Sequence, residues 1–332
     1  MGAGSAPRLR RGARAGTGHA LVLLGHALRV LGIALLGSGG FLLHLALRGQ
    51  QLSPLALLPV FPAIVLAGAL ALVGGFSALV HGKRLRAPVI TSFGGLRGTS
   101  YVLYLRPFAL DRPLAAAPGG APRGSFRSPF ELPGLTQEEF LVRQFDRLGP
   151  VVAVGQPGER LPLLGARRGY LPLDDWQAAV SELISGAHVV MLSAAPGPGT
   201  VWEFTEAVRL TPPDRLLLLI TSGPVVYDLF RDAAARAYAD RRAADWPPPP
   251  RLPDWPAADA LALPRDGGWT YPLEGVVTFD RTWRATFTPF RPAAPRVRWI
   301  WSVRRLVRAE LEPVIGPLAA LPRRPPRSAR KP

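Results

Sequence analysis

Two uncharged stretches constrain this chain more than any other feature. Val30 to Leu47 and Leu55 to Val80 contain no Asp, Glu, Lys or Arg, and the connector between them, "RGQQLSP", is short. A hydrocarbon core of about 30 Å is crossed by about 20 helical residues, so both stretches are long enough to span a bilayer. Leu21 to Leu24 extends the first helix at its amino end, and the short connector makes the two helices antiparallel neighbours. The expectation is a transmembrane hairpin over residues 19–82, preceded by a basic segment 1–18.

The distribution of charge agrees with a membrane location. The chain of 332 residues has a formal net charge of +17. Residues 1–100 hold ten Arg or Lys and no Asp or Glu, and residues 281–332 hold thirteen against Glu310 and Glu312, which leaves residues 101–280 mildly acidic. A nucleic-acid reader carries its basic surface on the fold itself. Here the basic residues flank the fold, so nucleic acid is not the expected partner and the anionic inner leaflet of a lipid bilayer is. Arg8, Arg10, Arg11 and Arg14 precede the first span and Lys83, Arg84 and Arg86 follow the second, while the connector has only Arg48. The positive-inside rule then places both termini of a two-span cell-membrane protein in the cytoplasm.

Several chemistries are excluded. The chain has no Cys, so disulfides and Cys-based zinc sites are ruled out. The five His form no HxxxH or HExxH pair, and no metal is expected. His26 and His44 either share a helix face able to hold haem or sit near opposite interfaces, and the second is the expectation.

From Tyr101, after a linker at 83–100, short apolar runs alternate with helical patterns. Strands are expected at 101–105, 151–155, 188–193, 215–220 and 275–280. Helices are expected at 136–149, 173–187, 201–210 and 223–242. Thr136 and Glu139 read as a capping box, and Gly149 as a stop. Continuous apolar strands between amphipathic helices imply a parallel sheet covered on both faces. The expected fold over 101–280 is therefore α/β, a flavodoxin-like doubly wound parallel sheet of about five strands. Ligands in such sheets bind at the carboxyl ends of the strands, near the topological switch point. Two Pro/Gly-rich insertions, 115–134 and 245–269, interrupt the alternation.

The stretch "DDWQAAVSELISGAHVVMLSAAPGPGTVWEFTEAV" resembles the second half of a TIR domain, and "GTVWEF" is also similar to a motif of nucleoside 2-deoxyribosyltransferases. Both families attack an N-glycosidic bond with help from a carboxylate. The TIR resemblance implies Glu206, four residues after Trp202, as that carboxylate, and the deoxyribosyltransferase resemblance implies Glu203. It implies no required cofactor, with NAD or a nucleoside as substrate. The alternative it carries is a non-enzymatic interaction module that self-associates as a homo-oligomeric scaffold. The chain departs from the TIR pattern at the first strand, where "LRPFALD" stands.

The residues themselves suggest where a ligand would sit. Glu203 and Glu206 are three apart on one helix and share a face. A carboxylate there either stabilises an oxocarbenium-like sugar or serves the helix dipole. With a strand ending at Ser193, Gly199, Thr200 and Trp202 lie on the binding edge, and Glu203 falls in the first helical turn, where the dipole favours its ionised form. Arg106 and Asp111 follow the first strand, as a phosphate clamp or as a structural ion pair. Gly155, Gly158 and Gly165 either bring backbone N–H groups to a phosphate or form a plain loop. Trp176 reads as core. At the carboxyl end, 281–318 contains a basic amphipathic helix with Trp299, Val303, Leu306 and Val307 on one side. It either lies on the membrane or packs on the sheet domain. Residues 319–332 form a basic tail expected to be disordered.

Overall fold

The computed structural model describes residues 6–48, 54–115, 136–156, 159, 161–171, 175–256, 273–290 and 300–323. It divides into a helical unit through Ala87 and an α/β unit from Pro88 onward.

The helical unit is two long helices, α1 (Ala6–Leu47) and α2 (Pro54–Arg86). Within them Ala15–Leu47 and Pro59–Arg86 are long and apolar enough to cross a membrane. What joins them is a seam of glycines. Gly18, Gly25 and Gly32 recur every seven residues along α1, and Gly82, Gly75 and Gly68 recur at the same spacing, in reverse order, along α2. A Cβ on Gly25 would lie 2.8 Å from the Gly75 carbonyl oxygen, and one on Gly32 would lie 2.8 Å from that of Gly68. A Cβ on Gly82 would lie 2.7 Å from the Gly18 oxygen. Only hydrogen fits there, so the two backbones approach closely and dispersion contacts run along the seam. Leu79, Leu72 and Leu36 fill the steps between the glycines. α1 passes through Arg29 without a break, so Arg29, next to the uncharged stretch that begins at Val30, is an interior residue of the helix.

The α/β unit carries an eight-stranded mixed sheet, which corrects the expected five-stranded parallel one. The strands are β1 (Val89–Ile90), β2 (Val102–Leu105), β3 (Val151–Gly155), β4 (Arg167–Tyr170), β5 (Val189–Ser193), β6 (Leu216–Ile220), β7 (Gly275–Phe279) and β8 (Ala285–Pro289). Their order is β1-β4-β3-β2-β5-β6-β7-β8. The first six are mutually parallel where they pair, while β7 is antiparallel to β6 and β8 to β7. The run β3-β2-β5-β6 keeps the doubly wound arrangement, and the chain reverses its direction of travel between β2 and β5. β1 comes from the expected linker and β4 from the expected glycine loop. β8 pairs with β7 through a tight turn in which the Asp280 carboxylate accepts hydrogen bonds from the Thr282 and Arg284 amides.

Helices cover both faces. α5 (Trp176–Gly186), α6 (Pro198–Leu210) and α7 (Pro224–Arg241) pack over one face in a single apolar cluster. Leu103, Leu105, Val190, Leu192, Leu216, Leu218, Phe204 and Phe230 lie at its centre. On β2 the alternation sends Tyr104 to the opposite face, as strand geometry requires. Beyond β2, α3 (Asp111–Ala115) follows a 3-10 turn, and α4 (Gln137–Val142) begins at the expected capping box, with Thr136 accepting from the Glu139 amide and Glu139 accepting from the Thr136 amide. α8 (Ile300–Ala320) buries Val307, Leu311, Val314, Ile315 and Leu318. It is tied to the end of the α4 segment by Arg147–Glu312, and Arg215 donates to the Pro322 carbonyl. The carboxyl-terminal helix therefore packs on its own α/β unit over this stretch. Trp299, the 116–135 and 257–272 parts of the insertions, and 324–332 lie outside the described residues.

The glycine seam gives a direct test. The chain has no Cys, so spin labels can be placed at Leu23→Cys and Val73→Cys, both highly exposed on their helices. Gly32→Ile should lengthen and broaden the distance between the labels measured by pulsed electron resonance; an unchanged distribution would show that the seam does not hold the helices together.

Candidate functional site

At the carboxyl edge of the sheet the chain assembles an ionic cluster on the Tyr104 face. Glu138, on the first turn of α4, is its centre and is fully buried. Its carboxylate accepts from Arg168 Nη2 at 2.7 Å, from Arg106 Nη2 at 3.2 Å and from the Ala166 amide at 3.4 Å. Arg106 continues β2 by one residue and also pairs with Asp111 at the start of α3. Arg168 is the second residue of β4 and lies 3.7 Å from Glu159, which accepts from the Tyr170 hydroxyl at 3.1 Å. Gly165 makes room for this: its φ of +127° is open to glycine, and a Cβ would lie 2.6 Å from Glu138 Cγ.

The same face carries a hydroxyl pair across the switch point. Tyr104 Oη and Ser193 Oγ lie 3.2 Å apart, and the Arg106 guanidinium stands over the Tyr104 ring at 5.8 Å. Burial pushes the Tyr104 hydroxyl up to about 12. Burial also holds the Arg106 guanidinium below its ordinary value, against the attraction of Glu138. Asp111, Glu138 and Glu159 neutralise both guanidinium groups. The cluster is thus a clamp among β2, β4, α3 and α4, and Arg106 and Asp111 form the structural pair rather than an open phosphate clamp.

The opposite face carries a second cluster, around Glu206. Its carboxylate accepts from Ser181 Oγ on α5 at 2.5 Å, from Arg241 Nη2 on α7 at 3.0 Å, and from Arg209 one turn along its own helix. Trp202 meets Trp176 edge to face, with centroids 4.9 Å apart, and Arg241 stands over the Trp202 ring at 5.1 Å. Burial alone would raise the Glu206 carboxyl. Hydrogen bonds from Arg209 and Ser181 and the charges of Arg209 and Arg241 outweigh it, and the carboxyl is held below its ordinary value. Trp176, expected in the core, is partly buried as one wall of this cluster.

Glu203 differs from its neighbour. α6 starts at Pro198, whose fixed φ suits the first helical position, so Glu203 stands in the second turn and not the first. It is half-buried and makes no hydrogen bond or ion pair with any described residue. Desolvation pushes its carboxyl up to about 8, which corrects the expectation that the dipole keeps it ionised. Nor does it meet Arg106. α6 packs on the face of Leu103 and Leu105, and Arg106 follows Tyr104 on the other.

The remaining expected residues divide in the same way. Ser193 is fully buried at the end of β5. Gly199 and Thr200 lie in the first turn of α6; Thr200 is buried, and a Cβ on Gly199 would meet open space. Gly155 is packed under the Tyr170 ring, where a Cβ would meet Cε1 at 2.5 Å, so it serves close packing rather than phosphate approach. Gly158 lies outside the described residues. No cluster of metal-binding side chains occurs among the described residues. Sequence reading missed Glu138, Glu159, Arg168, Ser181 and Arg241. The one available signal was the adjacent pair Glu138–Glu139 in an otherwise apolar helix start, of which only the second was needed for capping.

Compared with known proteins, the chain matches no family model, no curated protein and no solved structure.

Two predictions follow from the two carboxylates. Residues 1–100 contain no Trp, so tryptophan fluorescence of the detergent-solubilised protein reports the α/β unit alone. Glu206→Gln leaves Arg241 and Arg209 short of their partner and should destabilise the unit by about 1–3 kcal/mol in denaturant titrations. With its folded value lowered, Glu206 contributes stability above its ordinary value of 4.5 that is lost on acidification. Glu203 has the opposite sign. Its folded value is raised, so its ionisation costs stability progressively from about pH 4.5 to about pH 8. Glu203→Gln should therefore stabilise the unit by about 1–3 kcal/mol at pH 9, after discounting for its partial exposure, and change little at pH 5.

Proposed function

We propose that the protein is anchored in the membrane by α1 and α2, with both termini cytoplasmic, and that its α/β unit binds a nucleoside-like ligand beside Glu203 and cleaves the N-glycosidic bond. The observation that carries this reading is the contrast among the carboxylates at the sheet edge. Asp111, Glu138 and Glu206 are all committed to arginines, whereas Glu203, partly buried, has no partner among the described residues. Its helix opens from the carboxyl end of β5, one of the two strands at the switch point, which is where open α/β sheets take ligands. A perturbed, unpaired carboxyl at such an edge is a mark of a functional site.

The chemistry follows from its protonation. Up to about pH 8 Glu203 carries a proton, which suits a general acid and not a nucleophile. In cleavage of a purine or pyrimidine nucleoside that proton goes to the departing base as the C–N bond breaks, and the water that adds to the sugar carbon returns a proton to the Glu203 carboxylate; the cationic nicotinamide of NAD leaves as a neutral base and needs no such proton. Glu206 holds Trp202 and α6 against α5 and α7, and so sets the position of Glu203 without taking part. The Arg106 clamp fixes the neighbouring strand in the same manner.

A second reading has its own observation. The carboxylate that the TIR resemblance implies as catalytic, Glu206, is consumed by Arg209, Arg241 and Ser181. A fold that spends it this way suits a self-associating scaffold beneath the membrane.

The test uses the full-length protein in lipid nanodiscs, incubated with NAD and with purine and pyrimidine nucleosides, with released base followed by chromatography. Release from the nucleosides is expected, falling above about pH 8, with Glu203→Gln reducing it by about 10²-fold or more. Full activity in Glu203→Gln would remove the enzymatic reading, and no release from any substrate together with concentration-dependent self-association would favour the scaffold.

A further inference from the structure

The eight-stranded sheet ends differently at its two edges. β1 has only two residues, and an edge that short offers little for another strand to pair with. β8 has five, and its backbone groups point alternately inward and outward. The Asp280 amide donates to the Arg284 carbonyl, and the Phe290 amide to the Glu274 carbonyl. Those two bonds set the parity. Arg284, Thr286, Thr288 and Phe290 turn their backbone groups toward β7, and Ala285, Phe287 and Pro289 turn theirs away. Pro289, which has no N–H, therefore stands where the ladder with β7 needs none, as prolines of edge strands do.

The outward groups of Ala285 and Phe287 form no hydrogen bond with any described residue. Nor does β8 carry the devices that keep an edge single. No charged residue lies between Ala285 and Pro289, and the register with β7 runs through all five residues without a bulge. The strand is also complementary to itself. When it is turned about a two-fold axis through Thr286, Ala285 of one copy faces Phe287 of the other. The outward N–H and C=O groups of these residues then close four hydrogen bonds, two in each pair. Arg284 faces Thr288, so no like charges meet, and Thr286 faces Thr286 in the closer, non-hydrogen-bonded kind of pair.

We infer that the free edge of β8 is the self-association surface of the α/β unit: two copies pair β8 against β8, antiparallel and centred on Thr286, and join their sheets into one. This inference rests on the self-associating reading given above, whose surface it names, and is independent of the reading of Glu203.

The chain has no Cys, so a single introduced thiol reports a single position. Thr286 is exposed. The full-length Thr286→Cys protein, reconstituted in phosphatidylcholine vesicles and mildly oxidised with copper phenanthroline, should form a disulfide-linked dimer, because Cα atoms in such a pair lie about 4.5 Å apart. Thr288→Cys should cross-link about tenfold less, since the two copies of that position are about 14 Å apart along the paired strands. Ala285→Pro, added to Thr286→Cys, removes an outward N–H that β7 does not use. It should lower the cross-link about tenfold and leave the denaturation midpoint read by tryptophan fluorescence in place. If that midpoint falls as well, the contrast between positions 286 and 288 decides. Equal cross-linking at the two positions, or a cross-link that survives Ala285→Pro, overturns the inference. Energy transfer between copies labelled at the amino terminus separates this surface from the reading it rests on. Transfer that rises with protein density, without a cross-link at Thr286, overturns the β8 surface alone; no transfer at any density overturns both.

Discussion

The α/β unit is organised around one buried carboxylate. Glu138 has no access to solvent and faces two guanidinium groups, one from the end of β2 and one from within β4. Removing one partner of such a group typically costs about 3–5 kcal/mol, because the charge left behind is stranded. The clamp accounts for features that look unrelated along the chain. The strand at 167–170 has two arginines in four residues, and the inward one is the partner of Glu138. Position 165 is glycine because its φ is positive and because a Cβ would strike the Glu138 stem. Asp111 opens α3 on the spare nitrogen of Arg106. The connections following β2 and β3 are thus fixed by charge at one point, while the faces of the sheet are fixed by apolar packing.

The parts of this fold legible in the sequence are those where a single physical signal dominates. β2, β3, β5 and β6 read as continuous apolar runs because both faces of a central parallel strand are covered. The capping box at Thr136 reads because two side chains three residues apart satisfy two amides. The edge strands do not read this way. β4 carries Arg167 and Arg168, whose polarity hides a strand that is paired on one side by only two residues of β1. β7 has the same apolar pattern as a parallel strand, and no local pattern sets its antiparallel direction. The seam of the hairpin was visible as glycines every seven residues, but the spacing acquires meaning only when the second helix is seen to repeat it in reverse.

The candidate site was legible in its address and not in its wiring. The carboxyl edge, the α6 opening and the residues Arg106, Ser193, Thr200 and Glu203 are where the alternation of strands and helices places them. Which partner each acquires depends on residues far away in sequence, such as Glu138 for Arg106 and Arg241 for Glu206. A sheet has two faces, and adjacent positions at its edge diverge to opposite ones. Arg106 and Glu203, close in the expected topology, were separated by that parity alone.

Glu203 and Glu206 show how the same side chain, three residues apart on one helix, is driven in opposite directions. The helix dipole favours a carboxylate by about 0.3–1 kcal/mol within the first turn, and neither residue stands there: Glu203 is in the second turn and Glu206 past the middle of α6. At about 1.4 kcal/mol per pKa unit, even the first-turn effect is less than one unit. Burial works against ionisation by several units when nothing compensates. For Glu206 two guanidinium groups and a hydroxyl compensate, and the carboxylate stays ionised as a brace among three helices. For Glu203 no described residue does, so desolvation prevails and the proton stays. A protein that needed Glu203 only for its fold would gain stability from a glutamine or a leucine there. A carboxyl without a partner among the described residues costs stability above its ordinary value, and the proposed role as a proton donor is what would offset that cost.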